Sequence, residues 1–102
     1  MPSGSTEALF AAADDGDAAL LDTMINADAA AANVARVDGM TPLMIAASSG
    51  HATCVQLLLD RGADQSAADE DGDTALSHAQ INGRREVEAI LRKRGAAIVL
   101  QI

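Results

Sequence analysis

The sequence is almost free of aromatic residues, with no tryptophan, no tyrosine and a single phenylalanine, Phe10. Hydrophobic residues nevertheless make up 49% of the 102 residues, and alanine supplies much of that fraction. Small side chains favour closely packed helices and argue against a deep ligand pocket, which large apolar and aromatic side chains usually line. A chain of this length suits one small domain with a core of modest depth.

Cysteine and long apolar runs are also scarce. The single cysteine, Cys54, excludes a disulfide within the chain and fits a reducing compartment. No apolar run approaches the roughly 18 to 20 residues that span a bilayer, and the first residues lack a basic region followed by an apolar segment. We therefore expect a soluble cytoplasmic protein without a membrane partner.

The charge is strongly acidic and unevenly distributed. The net charge of −8 divides into −5 for residues 1–37, −4 for residues 38–70 and +1 for residues 71–102. An acidic surface repels phosphate backbones, so we expect no nucleic-acid partner. One cluster of basic residues is the exception, and it consists of Arg84, Arg85, Arg92, Lys93 and Arg94. Glu86 and Glu88 lie between these residues, a mixture of charges that is typical of a solvated helix face.

An internal repeat is the most informative feature of the sequence. Ten residues recur 33 positions later, and they are Asp38, Gly39, Thr41, Leu43, Ala46, Gly50, Leu58, Arg61, Gly62 and Ala63. A weaker third copy lies 34 positions upstream, with an extra residue near Asp28. A fixed period of this length predicts stacked units, none of which buries its apolar face without its neighbours.

Each unit can be interpreted from its residues. Asp38-Gly39 predicts a tight turn, and Thr41 can cap a helix whose first position is a proline. This helix is expected to run to about residue 49 and to end at Gly50. A second helix is expected over about residues 52–61, with Gly62 ending it. Two antiparallel helices and a turn therefore make one unit.

The segment "DGMTPLMIAASSGHATCVQLLLDRGAD" resembles an ankyrin repeat, and "DGDTALSHAQINGRREVEAILRKRGAA" resembles a more divergent one. The resemblance covers about residues 5–98. It implies an all-α fold, an ankyrin-repeat solenoid of about three helix-turn-helix units with short β-turn connections. The chain is then a single domain, 1–102, with repeats at about 5–37, 38–70 and 71–102 and the outer two acting as caps.

The sequence departs from the ankyrin pattern in two places. The histidine that usually follows Thr-Pro-Leu is replaced by Phe10, Met44 and Ser77, so the Thr-His hydrogen bonding common in the family is missing. The first unit also lacks a glycine at the end of its second helix. The missing glycine concerns an outer repeat, and outer repeats are expected to be atypical caps.

His51 is the strongest candidate for a catalytic residue, because Cys54 follows three residues later on a helix and the two could bind zinc or act as base and nucleophile. Cys54 lies on the predicted apolar stripe, however, and Val87 takes its place in the next copy. We expect Cys54 to be a small core residue, and the resemblance implies that His51 bonds to loop backbone. We predict no catalytic residue, no cofactor and no metal, so the protein is not an enzyme.

The resemblance implies that the turn tips and the exposed side of the first helices form a concave face that binds proteins. The matching positions are Val37, Met40, Ile45, Ser48, Ser49, Glu70, Asp73, His78, Ile81 and Asn82. Exposed Val37, Met40 and Ile45 beside acids favour a partner with an apolar anchor and a basic rim. The predicted function is a non-enzymatic protein-binding adaptor.

The last residues, "AAIVLQI", leave an alternative open. Ile98 matches a semi-buried aliphatic position of ankyrin repeats, whereas Leu100 and Ile102 are not explained by it. A short apolar tail can fold over the open end of the last repeat, or it can dock on another chain. The alternative function is therefore a self-associating assembly subunit, and the chain is expected to be a monomer or to self-associate weakly.

Overall fold

The computed structural model describes residues 4–100, and the side chains of residues 6–95. Within that part the chain is helical, with no strand, in the order α1 (Gly4–Asp15), α2 (Ala18–Ala27), a 3-10 helix (Ala29–Asn33), α3 (Pro42–Ser49), α4 (Ala52–Asp60), α5 (Ala75–Ile81) and α6 (Arg85–Leu100). The all-α prediction is confirmed. The side chains of Ile98 and Leu100, and all of Ile102, lie outside the described residues, so both interpretations of the tail stay predictions.

The start and end of α3 follow from local chemistry. The Thr41 hydroxyl oxygen accepts a hydrogen bond from the Met44 N–H at 3.3 Å, and Pro42 occupies the first turn, where no N–H is needed. Gly50 ends the helix in the left-handed conformation at φ 81°. Both predicted boundaries of α3 are confirmed, while α4 ends at Asp60, one residue earlier than expected.

The six α-helices form two layers. Helices α1, α3 and α5 pack side by side in one layer, α2, α4 and α6 form the other, and each consecutive pair closes one repeat. The core between the layers contains Leu21, Leu43, Leu58 and Leu91, each at most 1% exposed. Burying such side chains supplies most of the stabilisation, about 1.5 to 3 kcal/mol for each leucine relative to exposure.

Cys54 belongs to this core, as predicted. Its side chain is fully buried, and this burial, with a smaller contribution from Asp17, raises the pKa of the thiol. A raised pKa keeps the sulfur in its unreactive thiol form. Cys54 is therefore a packing residue.

The extra residue near Asp28 accompanies a local change of structure. The Asp28 carboxylate accepts a hydrogen bond from the Ala30 N–H and starts the 3-10 helix in the alanine-rich segment. At the end of the 3-10 helix, the Asn33 side chain donates a hydrogen bond to the Gly62 carbonyl at 2.9 Å and accepts one from the Asp64 N–H at 2.6 Å. The first repeat is thus joined to the second without a glycine at the end of α2.

Across residues 4–100, no helix is both long enough and apolar enough to cross a membrane.

Candidate functional site

Two turns, at residues 36–40 and 69–73, form the tips of the solenoid. The Arg36 N–H donates to the Met40 carbonyl, and the Asp69 N–H donates to the Asp73 carbonyl, both at 2.9 Å. The Glu70 N–H then donates to the Asp38 carbonyl at 3.0 Å and joins one turn to the other. The tips are therefore held as one platform by backbone hydrogen bonds.

An exposed apolar group lies on this platform. The Val37 side chain is fully exposed, and it lines a shallow depression together with Arg36, Asp38 and Glu70. Arg36 is already engaged, because it pairs with Asp38 at 3.0 Å and lies over the Phe10 ring at 5.4 Å from its centre. The exposed Glu70 has no counter-ion among the described residues, so the depression is apolar at Val37 and acidic at Glu70.

Asp38 is held in its charged form at the edge of the depression. Its pKa lies below the usual value, first because its carboxylate accepts the Met40 N–H and then because of Arg36. The Arg36–Asp38 pair is nearly half exposed on both sides, so its contribution to stability is small. The main effect of the pair is on charge, because Asp38 neutralises Arg36, the one cation among the described residues that line the depression.

Met40 and Ile45 are less available than the sequence indicated. Both side chains are half-buried and pack against the core, whereas exposure of all three apolar groups was expected. Met40 lies in the turn before α3 and Ile45 lies within α3, and both side chains are turned partly inward. Of the three apolar groups Val37, Met40 and Ile45, only Val37 is therefore exposed.

Polar residues at the ends of α3 and α5 join neighbouring repeats. The Ser49 hydroxyl donates to Asp14 at 2.8 Å, and the Asn82 amide donates to the Ser48 hydroxyl at 3.1 Å and to the His78 carbonyl at 2.8 Å. The ankyrin resemblance implies that Ser48, Ser49 and Asn82 bind a partner. In the structure their side chains already have partners within the chain. Ile81, also assigned to partner binding, is 70% exposed.

His78, Asp69 and Asp73 form a polar cluster beside the platform. The Asp69 carboxylate bonds to His78 Nε2 at 2.8 Å, and its other oxygen accepts the N–H groups of Asp71 and Asp73 at 2.9 and 3.0 Å. The ligand atoms of the three residues lie within 4.8 Å of one another, the one such group in the described part of the chain. Because Asp69 and His78 already satisfy each other, the cluster is explained as a support for the second turn.

The buried Asp69 carboxylate makes the second turn sensitive to acid. Its pKa lies below the usual value, because it accepts the Asp73 N–H and, to a smaller extent, bonds to His78. A carboxyl group with a lowered pKa in the folded state stabilises the protein above its unfolded pKa of about 4. This stabilisation is lost as the pH falls through the folded value.

We expect Asp69→Asn to flatten the acid dependence of stability. The free energy of unfolding, from urea titrations at a series of pH values, should fall less steeply below about pH 4 in the variant than in the wild type. Glu70→Gln is the matched control, since Glu70 is exposed in the same turn. Parallel curves for Asp69→Asn and the wild type would contradict this assignment.

His51 has a structural role, as the sequence analysis favoured. Its Nε2 bonds to the Asp14 carbonyl at 2.7 Å, and its ring lies against Gly16, where an added Cβ would come within 2.7 Å of the ring. Cys54 is buried in the core and cannot act with it on a substrate. Although their spacing suggested a joint site, His51 therefore lies at a boundary between repeats and Cys54 lies in the core.

The family follows from comparison with known proteins. The sequence pattern described as "Ankyrin repeats (3 copies)" matches residues 9–102. The chain belongs to the ankyrin repeat family. The two-layer stack of helix pairs agrees with this membership, and the three copies account for the periods seen in the sequence.

The ankyrin repeats also occur in larger relatives. Ankyrin repeat and SAM domain-containing protein 6 of Mus musculus is 36% identical over 94 residues, which cover 91% of this chain and 11% of the relative. A probable E3 ubiquitin-protein ligase, XBOS33, of Oryza sativa is 40% identical over 90 residues, covering 87% and 17%. The human NAD-capped RNA hydrolase NUDT12 is 34% identical over 79 residues, covering 78% and 17%. The chain therefore spans less than a fifth of each of these relatives.

Proposed function

We propose that this ankyrin domain is a non-enzymatic protein-binding adaptor and that its partner sits on the turn platform. The fully exposed Val37 carries the proposal, because an apolar side chain at a rigid tip packs against nothing in the described part of the chain. The relatives support it indirectly. Their names describe a SAM-domain protein, a ubiquitin ligase and an RNA hydrolase, so similar repeats accompany different activities.

The proposed partner carries an apolar group with basic residues around it. An apolar side chain placed in the shallow depression would cover Val37 beside Glu70. Covering a valine-sized side chain contributes about 1.5 to 3 kcal/mol. Glu70 and Asp71 are exposed beside it, and Asp73 is half-buried, so a basic rim on the partner would be attracted and oriented.

The proposed place of action is the cytoplasm. The single cysteine is buried and has no disulfide partner, which fits a reducing compartment. The acidic charge of −8 supports a protein partner over a nucleic acid.

We expect Val37→Glu to weaken partner binding at least tenfold, equivalent to about 1.4 kcal/mol. The partner is first captured from cell extract with the wild-type chain and identified by mass spectrometry, and its Kd is then measured for each variant. Gln56→Glu, which adds the same charge on the exposed side of α4, is the matched control and should leave the Kd unchanged. Circular dichroism checks that all variants keep their helices.

Glu70→Lys tests the charged part of the same surface. It should raise the Kd and reduce the dependence of binding on salt, because it replaces an attractive charge with a repulsive one. Unchanged affinity in both Val37→Glu and Glu70→Lys would place the partner elsewhere and overturn the proposal.

A further inference from the structure

The boundaries between repeats have a fixed polarity. Arg61, just after α4, reaches back to Asn26 and Asp22 of α2, and Arg94 of α6 reaches back to Asp60 of α4 at 2.8 Å. Arg61 and Arg94 occupy the same position in successive repeats, as do Asn26 and Asp60. At both boundaries, therefore, the later repeat supplies the cation and the earlier one supplies the acceptor.

At the two ends of the solenoid the residues that make these pairs are replaced. The acceptor position of the last repeat holds an exposed lysine, Lys93, instead of an acid or amide. The cation position of the first repeat holds Ala27, which is followed by the exposed Asp28. A further repeat of the internal kind would bring an arginine against Lys93, whereas the first repeat of another copy would bring Ala27 there, with Asp28 next to it in the sequence.

A second row of contacts between repeats also stops at the last repeat. His51 lies over Gly16 at one boundary, and Arg84, at the same repeat position, lies over Gly50 at the other. At the third glycine of this series, Gly83, a Cβ would have no atom of the described residues within 4 Å apart from its chain neighbours. The last repeat is thus open at this point.

The exposed charges beside this opening are complementary between the two ends. Arg85 lies two residues after Gly83 on the last repeat and is exposed. The first repeat holds Asp17 at the position of His51 and Arg84, and Asp17 is also exposed. Stacking of the internal kind would bring Asp17 of one copy over Gly83 of another, close to Arg85.

The first repeat also carries an apolar groove. It lies between the start of α1, the end of α2 and the 3-10 helix, and its lining includes Leu9, Met24, Ala31 and Val34. Ala27 and Asp28 lie on its wall. Since Ala27 occupies the position from which Arg61 and Arg94 reach back, the groove borders the side on which a preceding repeat would stack.

We propose that this chain binds a second copy of itself head to tail, with the C-terminal face of one copy, Gly83, Arg85 and Lys93, on the N-terminal face of the next, Asp17, Ala27, Asp28 and the groove. The complementary charges support this occupant, since residues 1–37 carry −5 and residues 71–102 carry +1. Two different faces meet in such a contact, so it generates open chains of copies, or a ring where the rotation closes, rather than a two-fold dimer. The inference is independent of the proposed partner at the turn platform.

Charge reversal with mixing tests the proposal. Lys93→Glu and Asp28→Lys should each lower the weight-average mass of the full chain measured by sedimentation at high protein concentration, because like charges then meet in every contact. An equimolar mixture of the two variants should regain association. In the mixture the introduced glutamate of one variant faces the introduced lysine of the other, and the unchanged Lys93 faces the unchanged Asp28. Gln56→Lys, on the exposed side of α4, is the matched control and should associate like the wild type.

The outcomes separate the proposal from misfolding. Asp28 also caps the 3-10 helix, so Ala27→Lys, at an exposed position without that role, replaces Asp28→Lys if circular dichroism shows lost structure. Regained association in the mixture cannot come from unfolded chains. A wild type that stays monomeric at every concentration, or variants that associate as the wild type does, would overturn the proposal.

Discussion

Leu58→Ala is expected to lower the free energy of unfolding by about 2 to 5 kcal/mol. The side chain is fully buried in α4, which packs between α2 and α6. A domain of this size has about 5 to 15 kcal/mol of total stability, so the loss is a large part of it. The middle repeat contacts both others, and a cavity in it therefore weakens both boundaries.

Urea unfolding followed by circular dichroism measures this loss. Leu59→Ala is the matched control, because the same atoms are removed from the next residue of the helix, which is half-buried. Leu59→Ala should cost clearly less, since a partly exposed site leaves no closed cavity. Similar losses at Leu58 and Leu59 would show that the core is not packed as described.

Gly39→Ala is expected to be the most damaging change in the turns, and Gly72→Ala is its control. The two glycines occupy the same repeat position, with φ of 85° and 82°. An alanine in this left-handed conformation costs about 1 to 2 kcal/mol at either place. At Gly39 the new Cβ would also lie 2.9 Å from the Cα of Asp69, whereas no atom lies within 4 Å at Gly72.

The difference between the two variants measures the close approach of the turns. Overpacking against backbone adds about 1 to 3 kcal/mol at Gly39, because a backbone atom cannot move aside as a side chain can. Both unfolding free energies come from the same urea titrations. Equal losses would mean that the second turn moves freely away from the first, and the platform would then not be rigid.

The sequence predicted the parts of the fold that depend on neighbouring residues. The period of 33 indicated stacked units, and Thr41 and Gly50 fixed α3 through a cap and a left-handed ending. The burial of Cys54 followed from the apolar stripe of α4. These features need only local chemistry and helical spacing, which the order of residues contains.

The candidate surface was less predictable, because it depends on how the repeats stack. The half-burial of Ile45 and the bonds of Ser48 and Asn82 arise from the exact approach of α1, α3 and α5. The pairing of His78 with Asp69 depends in the same way on where the second turn lies. The sequence did contain one indication of how the repeats stack. Arg61 and Arg94 are one period apart, and each forms an ion pair with an aspartate of the preceding repeat.

The order in which the helices pack has a consequence for folding kinetics. The main contacts of each repeat are with the repeat beside it in the sequence, so no long loop must close before they form. Contacts that reach no further than about one repeat favour faster folding than pairings between the distant ends of a chain. The middle repeat gains two interfaces and each outer repeat gains one, so the outer repeats open first when the native state fluctuates.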